Sequence, residues 1–370
     1  MSVNPHLVKE SFTHVEPFAD NMTAYFYGRL FAEDPKLRAL FPAAMDTQRD
    51  RIFHALTRIV WSLDSPGTLD AYLSQLGRDH RKFGVCPEHF PVLGRALIAT
   101  LRKFSAGSWT AEIEEAWEQA YETAAQIMIN GATEDPGPAW WIGEVVEHER
   151  RSHDIAVFTV RPGTRYPFTA GQHVPIQVSQ WPRVWRPYSV ANAPQPDGVL
   201  RFHVRAVPAG WVSGALVRET RIGDTLLLGP PSGSMMLDPE SDRDLLMVAG
   251  GTGLAPLKSL IEQVARSERQ HDVHLVFGAR TERELYDLPD LRRLERMFHW
   301  LRVTAVVAQD SRFDGMHGKV PDVLDRFDGW ADHDVYISGP PAMIDHTARA
   351  LQGLGVAPAR IHHDSSGRHL

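Results

Sequence analysis

The stretch Trp185-Arg186-Pro187-Tyr188-Ser189-Val190 stands mid-chain and separates two kinds of pattern. Each polar member has a use if a flavin lies against it. Arg186 offers a planar fork of donors to a diphosphate. Tyr188 offers a flat face with a polar tip, suited to an isoalloxazine ring. Ser189 offers a small hydroxyl to the flavin edge. An ordinary strand end on a β-barrel carries the same residue types, so the weight falls on what flanks them.

Downstream, Gly210-Trp211-Val212-Ser213 opens a short helical pattern. Ser213 is expected to cap that helix, turning its free N–H groups towards an anion. Around both motifs the apolar period is two. Residues 155–160, 174–178, 200–205 and 225–228 read as strands separated by Gly and Pro clusters, which predicts a small antiparallel barrel.

Further on, Leu245-Leu246-Met247-Val248-Ala249 is a continuous apolar run, as in a buried parallel strand. Gly250-Gly251-Thr252-Gly253-Leu254-Ala255-Pro256 follows at once. A glycine-rich strand-to-helix turn lets backbone N–H groups approach a diphosphate. More buried strands are expected at 273–277, 303–307 and 335–338, the last running into Gly339-Pro340-Pro341. Strands alternating with helices predict a doubly wound parallel sheet.

Upstream the pattern is helical. Apolar stripes at three- and four-residue spacing mark Phe26-Leu30, Ile52-Leu56-Ile59, Leu69-Leu73-Leu76, Val92-Leu97-Leu101 and Ile113-Trp117-Tyr121-Met128. His80 extends the third stripe. A histidine on an apolar face is more often a satisfied core residue than a ligand. Gln48 and Ile52 share one helical face, and a glutamine facing a core needs a partner. Glu134-Asp135-Pro136-Gly137-Pro138 is an aperiodic break. The expected domains are therefore an all-α unit at 1–135, an antiparallel β-barrel at 136–238 and an α/β unit at 239–370.

The chain has 370 residues and a net charge of −7, with no basic block, which argues against nucleic acid. No apolar run is long enough for a membrane, no signal pattern opens the chain, and no protein partner is implied. Cys86 is the sole cysteine, so a reducing cytoplasm is expected, and a four-thiolate iron–sulfur cluster is excluded.

Residues 12–130 resemble a bacterial globin of the kind fused to a flavin reductase. The resemblance is carried by Tyr25-Phe26-Tyr27, by residues 34–42 ending in Phe41-Pro42, by Gln48-Arg49, by residues 76–85 around His80, and by Ala116-Trp117 with Tyr121. It implies that His80 is the proximal haem ligand, that Tyr27 and Gln48 are the distal polar pair, and that Phe41, Ile52 and Phe83 line the haem pocket. Arg186-x-Tyr188-Ser189 with Gly210-x-Val212-Ser213 resembles the paired FAD signature of ferredoxin-reductase-type domains, with Arg205 a further FAD candidate. Gly250, Gly251, Thr252, Gly253, Ala255, Pro256, Gly339 and Pro340 fall on the NAD-binding loops of the same reductases. The whole chain resembles the flavohaemoglobins, multidomain proteins with haem b, FAD and NAD(P)H. Their implied activity is conversion of nitric oxide and O2 to nitrate. The alternatives are an oxidoreductase with another donor or acceptor, and a haem-based oxygen or redox sensor.

Three departures accompany the match. Phe90 and Ala132 stand where relatives place a tyrosine and a glutamate that support the proximal histidine, with Glu134 close by in sequence. The tail His362-His363-Asp364-Ser365-Ser366 lacks the usual aromatic cover for the flavin, leaving it open or covered by His363. Arg280 could meet a 2′-phosphate, but Glu282 and Glu284 oppose one, which favours NADH.

Overall fold

The computed structural model describes residues 4–105, 107–267, 271–327 and 329–363. The chain divides into two compact units, Met1–Ala139 and Trp140–Leu370. The first is helical: α1 (Pro5–Val15), α2 (Ala19–Glu33), α3 (Asp46–Trp61), α4 (Pro66–His80), α5 (Phe90–Phe104) and α6 (Ala111–Glu134). The apolar stripes anticipated all but α1. That helix starts where the Asn4 side chain accepts from the Leu7 N–H and Pro5 takes the first turn. It buries Val8, Phe12 and Val15 in the same core as Trp117 of α6.

The crossing of α4 and α6 sets where His80 stands. A Cβ on Gly77 would overlap the Met128 main chain, and one on Gly131 would overlap that of Ser74. The two backbones therefore touch, with Leu69 and Leu73 of α4 buried beside the crossing. An ion pair of 2.7 Å between Arg81 and Asp135 ties the residues that follow the two helices.

The second unit opens with β1 (Trp141–Arg150), β2 (Ile155–Pro162), β3 (His173–Gln177), β4 (Arg186–Ser189), β5 (Leu200–Arg205), α7 (Trp211–Arg218) and β6 (Thr225–Leu228). The strands pair antiparallel in the order β4-β3-β6-β1-β2-β5. A bridge between Val190 and Phe202 joins the two edges into a nearly closed barrel. Then come β7 (Leu245–Gly250), α8 (Leu254–Val264), β8 (Val273–Ala279), α9 (Leu288–Met297), β9 (Leu301–Val307), β10 (Met316–His317), α10 (Val320–Val323), β11 (Asp334–Ser338), α11 (Pro341–Gly353) and β12 (Ile361–His363). They form a parallel sheet ordered β10-β9-β8-β7-β11-β12. Chain order reverses between β7 and β11, and such a switch point opens a ligand crevice at the strands' carboxyl ends.

Barrel and parallel sheet share one core, in which Ile155, Val157 and Met235 meet Leu245, Met247, Leu257 and Phe277. Polar ties reinforce it. Ser259 donates to the Asn192 carbonyl at 2.8 Å, and the Ala193 N–H donates to the Glu262 carboxylate at 3.1 Å. His203 and Tyr286 share a buried hydrogen bond of 2.8 Å.

The α4–α6 contact makes a direct prediction. Gly77→Ala should cost about 1–3 kcal/mol through overpacking, read as an earlier urea transition in the helical signal. Gly28→Ala, where an added Cβ meets nothing, should leave the transition in place or raise it. Equal behaviour of the two variants would contradict the crossing.

Candidate functional site

In the helical unit, Tyr27, Phe41 and Ile52 gather in one apolar cluster with Phe26, Leu30 and Phe31. Phe41 stands edge-on to both Tyr27 and Phe31, with centroids 5.4 Å apart in each case. The Tyr27 hydroxyl donates to the main-chain carbonyl of Gln48 at 3.5 Å, a long and weak bond. The structure thus brings the expected Tyr27–Gln48 pair together, with both the main chain and the side chain of Gln48 near the phenol. Burial holds the Tyr27 phenol well above its ordinary pKa, against the pull of Gln48 and Arg49. It is therefore a neutral O–H donor across the physiological range.

His80 is the last residue of α4, and its ring stands 6.1 Å from that of Phe83. Its Nδ1–H donates to the Leu76 carbonyl at 2.7 Å. A carbonyl can only accept, so Nε2 is the nitrogen left with a lone pair. Burial lowers the imidazole pKa below its usual value, partly offset by the Leu76 bond. The segment after His80 meets the Tyr27 cluster at one end, since a Cβ on Gly84 would lie 3.8 Å from the Leu40 side chain. Glu134 is exposed at the end of α6. The phenol nearest Phe90 is Tyr121, which donates to the Phe90 carbonyl at 2.6 Å.

Sequence reasoning missed two cations here. The Nε of Arg49 is buried without a hydrogen-bond partner. The Lys82 side chain is 11% exposed, and burial lowers its ammonium pKa, partly offset by Asp79. Their signal lay in plain view, one residue from Gln48 and two from His80, yet basic helix residues ordinarily face water.

In the barrel, β4 carries Arg186, Tyr188 and Ser189. Tyr188 packs on the barrel core, and burial raises its phenol. Beside them the Trp185 indole N–H is buried and unpartnered. The expectation that Ser213 caps α7 is corrected. Gly210 is the N-cap, and Ser213 lies inside the first turn. Its hydroxyl donates to the Gly210 carbonyl at 3.1 Å and accepts from the Val207 N–H at 3.3 Å, pinning the loop that leads into the helix.

Arg205 stands elsewhere. Its guanidinium carbon is 3.9 Å from a Cβ built on Gly251, so it faces the glycine turn after β7. Asp154 at 3.5 Å and Glu284 at 3.7 Å hold it there, while its Nε and Nη2 are buried without hydrogen bonds. At the switch point a Cβ on Gly253 would overlap the Ser338 carbonyl, and one on Gly339 would lie 3.1 Å from Gly250. The structure thus brings Gly250, Gly251, Thr252 and Gly253 against Gly339 and Pro340. Ala255 and Pro256 are buried in the first turn of α8. Asp364, Ser365 and Ser366 of the tail lie outside the described residues. His362 stacks on Tyr336 at 4.8 Å, and His363 is exposed on the edge strand β12.

Residues 24–128 match the globin family model, 143–236 the oxidoreductase FAD-binding domain and 247–349 the oxidoreductase NAD-binding domain. The chain is 25% identical to a flavohemoprotein of Bacillus subtilis, over 98% of this chain and 96% of the relative. Its fold matches a flavohemoglobin from Malassezia yamatoensis solved with bound FAD and heme, with a TM-score of 0.79 at 19% identity over 97% of both chains. The chain belongs to the flavohaemoglobin family. The chain is also 36% identical to a xylene/toluene monooxygenase electron transfer component of Pseudomonas putida, over 58% of this chain and 61% of the relative.

As a flavohaemoglobin it is an oxidoreductase whose cofactors are haem, FAD and NAD(P)H. The residues present fit all three. For haem there is a neutral imidazole with a lone pair on Nε2, a cluster of aromatic and aliphatic side chains, and two largely buried cations, Arg49 with an unpartnered Nε and Lys82 paired with Asp79 at 3.8 Å. For FAD there are the Arg186 fork, the half-buried Tyr188 face and the unpartnered Trp185 N–H. For the nicotinamide nucleotide there is a glycine crevice faced by the Arg205 guanidinium, whose Nε and Nη2 lack hydrogen bonds.

Within this flavohaemoglobin, His80→Ala is expected to purify with FAD and little haem, read from the visible spectrum. A variant that kept a histidine-ligated haem spectrum would sink the assignment of His80.

Proposed function

We propose that this flavohaemoglobin converts nitric oxide and O2 to nitrate, with His80 as the iron's protein ligand and Tyr27 with Gln48 as the polar groups of the reacting pocket. When bound, haem supplies an iron that takes O2 and nitric oxide, and FAD divides the electron pair of a hydride donor into single electrons.

The state of Tyr27 carries this reading. Its hydroxyl is neutral, buried among Phe26, Phe31 and Phe41, and meets Gln48 through a long 3.5 Å bond to the main chain and through the amide side chain. A donor that is already placed in an apolar pocket and only loosely committed can turn to an anionic oxygen without reorganising the pocket. Phe41 and Phe31 keep water from that donor. On the other side, the Leu76 carbonyl fixes the tautomer and rotation of the His80 ring. Being neutral, it makes the imidazole less electron-rich than a carboxylate partner would. Arg49 and Lys82 are suited to hold the haem carboxylates.

In the reductase unit, Arg186, Tyr188 and Ser189 address the flavin, and the Gly210–Ser213 turn its diphosphate. Arg205 belongs by position with the nucleotide's diphosphate, over Gly251. Arg280, just beyond β8, is folded onto Glu284 through contacts of 3.2 and 2.5 Å. Glu284 thereby occupies the cation that a 2′-phosphate would need, which favours NADH over NADPH.

One observation favours a second reading. The likeness of the chain to a relative named as an electron transfer component supports delivery of electrons to an acceptor outside the chain.

NADH-driven consumption of nitric oxide in air separates the two. Tyr27→Phe should slow it several-fold at unchanged haem content, since one neutral hydrogen bond is worth about 0.5–1.5 kcal/mol. Full activity in that variant would remove Tyr27 from the reaction. Wild-type protein that reduces small acceptors with NADH but consumes no nitric oxide would favour the second reading.

Glu284→Gln should raise the ratio of NADPH to NADH use in acceptor reduction by several-fold. A constant ratio would show that Arg280 does not meet the nucleotide.

A further inference from the structure

Trp181 and Trp211 stack with ring centroids 4.7 Å apart and planes 20° from parallel. Trp181 lies in the loop between β3 and β4, shortly before Arg186, and Trp211 is the first residue of α7, next to Gly210. The pair therefore joins the two segments that carry the flavin motifs. Trp181 rests on the barrel core, whereas Trp211 is 47% exposed. A helix start has no need of a tryptophan in its first position, and this one leaves much of its flat face at the surface.

The backbone of both segments is unusual in the same way. Arg183, with φ of 67°, and Ala209, with φ of 57°, are the non-glycine residues in the left-handed region among the described residues. One lies in each loop that meets at the tryptophan pair. Side chains with a Cβ adopt that region at a cost, and it persists where the surroundings hold it. The Gln177 side chain does so for Arg183, accepting its N–H at 2.7 Å. Ala209 immediately precedes the Gly210 that Ser213 pins. Both loops are thus held in specified shapes at the point where their indoles touch.

We infer that the Trp181–Trp211 stack is the shelf for the adenine of FAD, and that it makes this barrel select FAD over FMN. The inference rests on the flavin placement given above. FAD and FMN share the isoalloxazine ring, the ribityl chain and the first phosphate, and differ in the AMP half. Arg186, Tyr188 and Ser189 address the shared part and cannot tell the two apart. A diphosphate at the N-terminus of α7 has Trp211 as its next neighbour along the helix, where an anchored indole face meets a flat purine. Stacking of a base on an aromatic side chain asks for no hydrogen-bond partners.

The test uses the full-length protein stripped of flavin and titrated with FAD and with FMN by flavin fluorescence. Trp211→Ala should weaken FAD by roughly five- to a hundredfold, the usual worth of one stacked base, and leave FMN within twofold of wild type. Trp211→Phe, which keeps a flat face, should restore most of the FAD affinity. FAD should also quench the wild-type tryptophan emission more than FMN does. Arg186→Ala should weaken both flavins alike. Equal weakening of FAD and FMN in Trp211→Ala would reduce the stack to a packing element, and unchanged FAD affinity would remove it from the site; either overturns the inference. If Arg186→Ala changed neither flavin, the flavin placement itself would fall.

Discussion

The hydrogen bond from His80 Nδ1 to the Leu76 carbonyl is the constraint on which the helical unit's chemistry depends. At 2.7 Å it settles the tautomer and points a lone pair away from α4. It exists because His80 is still helical, one turn beyond Leu76, at the end of a helix seated backbone-to-backbone on α6. The small residues at that crossing are therefore functional at one remove. A wider crossing would move the helix end and the nitrogen with it. The acceptor is also a main-chain group. No side chain has to be supplied for it, and the protein can dispense with a tyrosine or carboxylate at Phe90 and Ala132.

The reductase unit depends on a comparable economy of backbone. The switch point between β7 and β11 brings two glycine-bearing turns into contact, which leaves main-chain N–H groups as the surface a dinucleotide meets. Arg205 crosses from the barrel to that surface. It is held by acids from both halves, Asp154 on the barrel and Glu284 on the parallel sheet. The shared core and the buried His203–Tyr286 bond make the two halves one unit, so an arginine of one half stays in register with the glycine turn of the other. Glu284 also binds Arg280, so one carboxylate holds both arginines.

Much of this was legible in the sequence. The helical stripes, the barrel strands and the buried runs of the parallel sheet announced themselves by period, because each buries one face over several residues. What escaped detection had physical reasons. β10 and β12 are too short to show a period, and β12 is ordered by pairing with β11. α1 buries Val8, Phe12 and Val15 at helical spacing, a stripe of three residues in an 11-residue helix that opens at the Asn4 cap. Ser213 looked like a cap because serine before an apolar run usually is one, but Gly210 already fills that place and the hydroxyl turns back to the loop. Arg205 was a further FAD candidate by resemblance; the packing of the two halves, which periodicity does not show, sets its guanidinium against Gly251. The partner of His80 Nδ1 is a main-chain carbonyl, which no pattern of side chains can reveal.

In the proposed function the chain is a single route for electrons from a nicotinamide nucleotide through flavin to haem. Anaerobic stopped-flow mixing of the full-length holoprotein with excess NADH tests that route most directly. The flavin absorbance should fall first, and the haem spectrum should then shift to the ferrous form at a rate independent of protein concentration. A flavin that bleaches while the haem remains ferric, or a haem rate that rises with protein concentration, would contradict it.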